Sequence, residues 1–139
     1  MTTKRVFRGL LYLSLFLFSP LYASAIGFSS GDILIALTDG TVQVRAADGT
    51  LKGTISSPLQ APAKGLALDS DGNLLVSYWM QPGTTSGNTA HKFRPDGSHA
   101  GMFGVGYNCN PSGIAVDKTG NVYVGNADCF GDISKFSKT

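Results

Sequence analysis

A segment of twelve residues occurs twice in this chain, and the two copies lie 48 positions apart. Residues 65–76 and 113–124 share Gly, Ala, Asp, Gly, Asn and Val in register, and other positions exchange one aliphatic residue for another. Residues 44–50 parallel residues 92–98 at the same offset, and residues 31–36 match the second half of the segment. Repetition with this period is typical of folds built from like units placed side by side.

Each unit predicts short strands joined by tight turns. The pattern Gly-aliphatic-Ala-aliphatic-Asp predicts a strand, and residues 69–73 and 117–121 predict hairpin turns in which Asp caps the turn and Gly takes a positive φ. The segments 51–55 and 100–103 predict the strand that follows each later Asp-Gly turn. Four antiparallel strands in about 40 to 50 residues is the spacing of a β-propeller blade, so the sequence predicts an all-β fold.

The third unit resembles an NHL repeat. The resemblance rests on residues 111–117, 120–124 and 133–136, and it implies blades at roughly 26–58, 59–106 and 107–139. The sequence departs from the NHL pattern at Gly125-Asn126, where the family usually has a small residue followed by Asp. It also departs in the second unit, where Lys92-Phe93 and Lys135-Phe136 are 43 rather than 48 positions apart.

The units add up to an incomplete propeller after an N-terminal signal peptide. About ten strands are expected, three in the first unit, four in the second and three in the third, whereas closed propellers typically have about four to eight four-stranded blades. One interpretation is a truncated fragment of a longer propeller. The other is a homo-oligomer in which several chains complete one ring.

Residues 1–25 have the three parts of a secretory signal peptide. Basic residues occur at positions 4, 5 and 8, residues 9–18 are apolar, and small residues stand at positions 23–25. We expect cleavage after Ala25, a mature domain at 26–139 and a secreted or periplasmic location. An uncleaved membrane anchor is the alternative, but the apolar run is short of the roughly 20 residues that span a bilayer.

Removal of this segment changes the charge of the chain. Eight of the 11 basic residues and all nine acidic residues lie beyond position 25, so the net charge of the mature part is near −1. The sequence therefore predicts no nucleic-acid partner and no stable membrane anchor after cleavage.

Two cysteines are candidates for a disulfide. Cys109 and Cys129 lie symmetrically about residue 119, so a regular hairpin that pairs Gly113 with Gly125 would also oppose the two cysteines. Opposed residues in a hairpin come close to disulfide distance, and an exported protein meets oxidising conditions. Two free or metal-binding thiols are the competing interpretation.

The polar motifs point to structure rather than chemistry. Residues 69–73 resemble the start of a calcium loop, but the pattern needs a Glu near its end and all nine acids of this chain are Asp. His91 and His99 have no motif partner. We therefore expect no catalytic residue, no metal ligand and no cofactor.

One loop is a candidate for partner contact. Residues 79–90 extend the connection between two strands of the second unit, and Trp79, Met80, Gln81 and Asn88 combine an aromatic, a thioether and amides there. Binding residues concentrate on such loops, and an unknown protein or a glycan is the expected partner. The alternative is a tolerated insertion with Trp79 packed on its own blade.

Two classes of function follow. The first is an exported module for binding or scaffolding, as the NHL resemblance implies. The second is a fragment of a gluconolactonase-like hydrolase or streptogramin-lyase-like enzyme with an axial metal site, for which Asn108, Asn126 and Asp128 are the nearest polar candidates. Such enzymes need convergent acids or a paired His, so the first class is favoured.

Overall fold

The computed structural model describes residues 26–80, 83, 87–107, 110–127 and 131–138. These residues form ten β-strands and no helix, as the sequence predicts. The strands are β1 (Ile33–Ala36), β2 (Val42–Arg45), β3 (Leu51–Ile55), β4 (Ala63–Leu68), β5 (Leu74–Tyr78), β6 (Thr89–Phe93), β7 (His99–Phe103), β8 (Pro111–Val116), β9 (Val122–Asn126) and β10 (Ile133–Phe136).

The strands pair into three antiparallel sheets of three, four and three strands. The first sheet has the order β1-β2-β3, the central sheet β4-β5-β6-β7 and the third sheet β8-β9-β10. All pairing is between strands that are consecutive in the chain, so each sheet is a meander. Among the described residues, the first sheet has no counterpart of β4 and the third sheet has no counterpart of β7.

The predicted Asp-Gly turns are present and show how the sequence ends each strand. In the turn after β8, Asp117 Oδ1 accepts hydrogen bonds from the backbone N–H groups of Thr119 at 2.8 Å and Asn121 at 2.9 Å. Gly120 follows with φ of 87°, which favours glycine. Hydrogen bonds from Asn121 and Thr119 to the carboxylate hold the pKa of Asp117 well below its usual range.

The repeat-related turn after β4 uses its carboxylate in the same way. Asp69 Oδ1 accepts from the N–H groups of Asp71 and Asn73 at 3.0 and 2.8 Å, and its Oδ2 lies 3.2 Å from Lys92 Nζ. The oxygens of Asp69 are thus engaged by donors of the protein. The interpretation of residues 69–73 as a turn is confirmed.

The central sheet is buried on both faces. All five residues of β5 are buried, and they point alternately into two hydrophobic clusters. Leu74, Val76 and Tyr78 belong to a cluster shared with the first sheet, whereas Leu75 belongs to a cluster shared with the third. The inner strands lie beside one another, β1 against β4 and β4 against β8.

A bulge at the same place in two repeats shifts the strand register. The pairing slips between Ala63 and Leu66 in the central sheet and between Pro111 and Ile114 in the third. In the third sheet Pro111 pairs with Asn126, whereas the regular register expected from the sequence would place it opposite Ala127. The regular hairpin assumed for residues 109–129 is therefore wrong by one residue beyond the bulge, because two residues of β8 lie opposite one of β9.

Several predictions concern residues outside the described ranges. Cys109 and Cys129 are both outside, so their disulfide stays a prediction, and the register that motivated it is displaced by the bulge. The signal peptide at 1–25 and its cleavage after Ala25 are outside as well. In the part of the chain that is described, no helix is long and apolar enough to cross a membrane.

Candidate functional site

Trp79 lies at the end of β5, on the edge of the molecule where the extended connection of the central sheet begins. Its backbone N–H donates to the Pro62 carbonyl at 3.0 Å, which fixes the start of the loop. The Lys64 Nζ lies 4.4 Å from the centre of the Trp79 ring, within cation–π distance. The ring is half-buried, and its Nε1 is buried without a hydrogen-bond partner among the described residues.

Met80 follows Trp79 and is the exposed apolar residue of this edge. Its side chain is 47% exposed, while its backbone N–H donates to Asn110 Oδ1 at 2.9 Å. Asn110 precedes β8 and has φ of 42°, a left-handed conformation that Asn tolerates better than most residues. This hydrogen bond ties the loop of the central sheet to the start of the third sheet.

The far end of the same loop returns to Trp79. A Cβ at Gly87 would lie 1.9 Å from the Trp79 carbonyl oxygen, so only glycine fits at this approach. The next residue, Asn88, has φ of 54° and donates from Nδ2 to the Tyr107 carbonyl at 3.4 Å. Its Oδ1 is buried and lacks a partner in the described ranges.

The structure thus brings Trp79, Met80 and Asn88 to one edge, and we call these three residues with Lys64 the Trp79 edge. Gln81, the remaining residue of the predicted contact loop, lies outside the described residues. The edge has an aromatic ring and an exposed thioether, together with a buried indole N–H and a buried amide oxygen that have no hydrogen-bond partner among the described residues. A ligand that stacks and exchanges hydrogen bonds matches these groups.

Of the polar residues considered for an axial metal site, Asn126 is described and Asn108 and Asp128 are not. The Asn126 side chain is buried, and its Nδ2 donates to Asp132 Oδ1 at 2.9 Å and to Ser134 Oγ at 3.0 Å. These bonds join β9 to β10 and give Asn126 a structural role. Across the described ranges, no group of three or more His, Cys, Asp or Glu side chains is placed to hold a metal ion.

A histidine pair in the central sheet was missed by sequence reasoning. His91 is only 6% exposed, and its Nδ1 lies 2.8 Å from His99 Nε2, which is a hydrogen-bonding distance. Burial and the neighbouring His99 lower the pKa of His91 to about 4. The pair can be inferred only when the hairpin register is known. Phe93 pairs with His99, and His91 lies on the same face of the strand as Phe93.

Comparison with known proteins finds a likeness in fold alone. No family model matches the chain, and no curated protein matches it. Among solved structures, a protein of unknown function from Bacteroides caccae, whose crystal structure is at 1.35 Å resolution, is similar with a TM-score of 0.51 and 19% identity. The match covers 82% of this chain but 44% of that one, so the matched part of this chain spans less than half the length of that protein.

Proposed function

We propose that the three sheets are consecutive blades of an NHL-type β-propeller, and that the chain is an exported module acting in binding or scaffolding. The propeller arrangement is supported by the 48-residue repeat, by the meander order of each sheet and by the central sheet, which is buried on both faces. The side-by-side inner strands β1, β4 and β8 support it as well, since blades meet along their inner strands.

The observation that carries the binding function is the composition of the Trp79 edge. Trp79 is half-buried beside Lys64, and Met80 is exposed next to it. The indole N–H and the Asn88 amide oxygen are a donor and an acceptor without partners in the described part of the chain. Buried polar groups are normally paired, so a bound ligand or water that pairs them would be stabilised at this edge.

The chemistry of the edge fits a partner that presents both flat apolar surface and hydroxyl or amide groups. A glycan has these features in its C–H face and hydroxyls, and an extended peptide has them in its side chains and backbone. Aromatic rings serve both, because they supply a large contact area at a small cost in conformational entropy.

A fluorescence titration tests this function directly. Trp79 is the single tryptophan of the sequence, so tryptophan fluorescence, excited where tyrosine does not absorb, reports on this edge alone. The probes are a panel of soluble neutral and anionic oligosaccharides and a panel of unstructured peptides. We expect saturable quenching or a wavelength shift with members of one panel, and weakened binding in Lys64→Met and Met80→Ala.

The matched control is Met102→Ala, because Met102 is an exposed methionine of β7 and belongs neither to the loop nor to the Trp79 edge. This variant should bind as the unmodified chain does. An unchanged Trp79 signal with every probe, or equal losses in Met80→Ala and Met102→Ala, would overturn the assignment of the edge.

A further inference from the structure

The first sheet has one face turned away from the central sheet, which we call its outward face. Repeat positions that are fully buried in the central sheet are exposed on this face. Ile33 and Ile35 occupy in β1 the places that Leu74 and Val76 occupy in β5, each pair following a Gly and one polar residue. Leu74 and Val76 are completely buried against the first sheet. Ile33 and Ile35 are 43% and 37% exposed, so this outward face has the composition of a sheet contact without a neighbour in the described chain.

The third sheet shows the opposite half of the same contact. Tyr123 in β9 stands 48 positions after Leu75 and occupies the same place in the repeat. Ile133 in β10 corresponds to Ala90 in β6, because each pairs with the residue two positions after Tyr123 or Leu75. Leu75 and Ala90 are completely buried against the third sheet, whereas Ile133 is 70% exposed. An open depression of about 290 Å³ on this outward face is lined by Gly113, Ile114, Ala115, Tyr123, Gly125 and Ile133.

The two outward faces are complementary in kind. Each sheet has one face with the residues that correspond to Leu75 and an opposite face with the residues that correspond to Leu74 and Val76. In the described chain, both contacts between sheets join a face of the first type to a face of the second type. The third sheet presents the first type outward and the first sheet presents the second type. Each outward face therefore matches in type the opposite outward face of a second copy of this chain.

We propose that this protein associates head to tail, with the Tyr123 and Ile133 face of one copy packed on the Ile33 and Ile35 face of the next. The association goes beyond the proposed binding function and uses none of the residues of the Trp79 edge. Such a heterologous contact closes into a ring when its rotation permits. Two copies of the matched region would span 88% of the Bacteroides caccae chain, twice its 44% share, so the neighbour's length accommodates six sheets of this kind.

The lysine on the third-sheet face has a covered counterpart in the central sheet. Lys135, on the outward face of the third sheet, occupies the place that Lys92 has in the central sheet. Lys92 lies between two sheets and forms an ion pair with Asp69 at 3.2 Å. A lysine at this position is thus compatible with a covered face.

The test is the molar mass of the protein in solution, measured by light scattering after size-exclusion chromatography at micromolar concentration. The full chain is expressed and purified in the form that the host produces. We expect a dimer, and monomers for Ile35→Lys and Ile133→Lys, each with the β circular-dichroism spectrum of the unmodified chain. Met102→Lys is the control, because Met102 is 57% exposed and belongs to neither outward face. It should remain a dimer.

Mixing the two monomeric variants identifies the direction of the contact. Ile35→Lys keeps an intact third-sheet face and Ile133→Lys keeps an intact first-sheet face, so an equal mixture should regain a 1:1 complex. A folded monomer of the unmodified chain would overturn the proposal and assign these faces to sheets of a longer chain or to another partner. A dimer that survives either substitution would also overturn it, since a head-to-head contact needs only one of the faces.

Discussion

The Ser77 hydroxyl donates a hydrogen bond of 2.8 Å to the Ser112 carbonyl, and it links β5 of the central sheet to β8 of the third. The same oxygen accepts a hydrogen bond of 2.8 Å from the Gly65 N–H. Ser77 is completely buried, so this one hydroxyl satisfies a donor at the β4 bulge and an acceptor on the neighbouring sheet. The contact between the two sheets therefore has a buried polar link in addition to its apolar cluster.

Ser77→Ala should lower the free energy of unfolding by about 1 to 3 kcal/mol, because it leaves the Gly65 N–H and the Ser112 carbonyl without this partner. Urea unfolding followed by circular dichroism measures the change. Ser112→Ala is the matched control, since it keeps the backbone carbonyl that Ser77 bonds and removes only the 3.3 Å hydrogen bond from the Ser112 hydroxyl to the Gly125 carbonyl within the third sheet. Equal losses in the two variants would show that the hydrogen bond between the sheets is not the cause.

Gly65 and Gly113 occupy the same position of successive repeats but should respond differently to alanine. A Cβ at Gly65 would lie 2.3 Å from the Ser112 carbonyl oxygen, whereas a Cβ at Gly113 would meet no atom within 4 Å. Gly65→Ala should thus cost about 2 kcal/mol or more through overpacking. Gly113→Ala should change stability by less than about 0.5 kcal/mol.

Both glycine variants are best compared in the Ile133→Lys background, so that association contributes nothing to the unfolding curves. A loss at Gly113 as large as that at Gly65 would contradict the asymmetry between the covered and outward positions of the repeat.

We expect the folded protein to lose stability in mild acid because of the buried His91. Its folded pKa is about 4 against an ordinary value of 6.5, because burial and His99 both oppose its charged form. Between these pH values the unfolded chain binds more protons than the folded one, so the free energy of unfolding falls as pH is lowered. The loss should reach at most about 3 kcal/mol and be complete near pH 4.

Urea unfolding at pH 7.5 and pH 4.5 measures this effect, and His91→Gln should remove most of the difference. His99→Gln should keep most of it, because burial of His91 is the larger cause. The carboxylates that cap turns, such as Asp117, have lowered pKa values and act below about pH 4, outside this window. A pH dependence that is unchanged in His91→Gln would rule out this histidine as its source.

The fold could be predicted from the sequence because the repeat marks strands and turns with different residues. The Asp-Gly turns at 69–73 and 117–121 fix where strands end, and the alternation between them fixes which residues are buried. The bulge at Ser112-Gly113 leaves no such mark, and the Ser112 carbonyl within it accepts a hydrogen bond from Ser77 of the central sheet, a contact that the order of residues does not reveal. The sequence therefore predicts where the strands begin and end, but it does not predict how their residues pair beyond the bulge.

The sequence predicts which residues form the Trp79 edge but not the contacts that they make. The Trp79 loop was recognised because an insertion interrupts the repeat, but its contact with Lys64 depends on the neighbouring strand β4. The His91–His99 pair has a spacing of eight residues that matches no motif. It becomes visible only when the hairpin register and the burial of that face are known.

The N-terminal segment predicts that the chain loses residues 1–25 during export. Expressed at full length in a secreting bacterial host, the protein should appear in the exported fraction with Ile26 as its first residue, which intact-mass analysis measures. Ala25→Arg should block processing, because a signal peptidase requires a small residue at this position. Lys118→Arg is the control and should leave processing unchanged, since it alters neither charge nor the N-terminal segment. An unprocessed chain retained in the cytosol would contradict the proposed export, and would do so without bearing on the fold of residues 26–138.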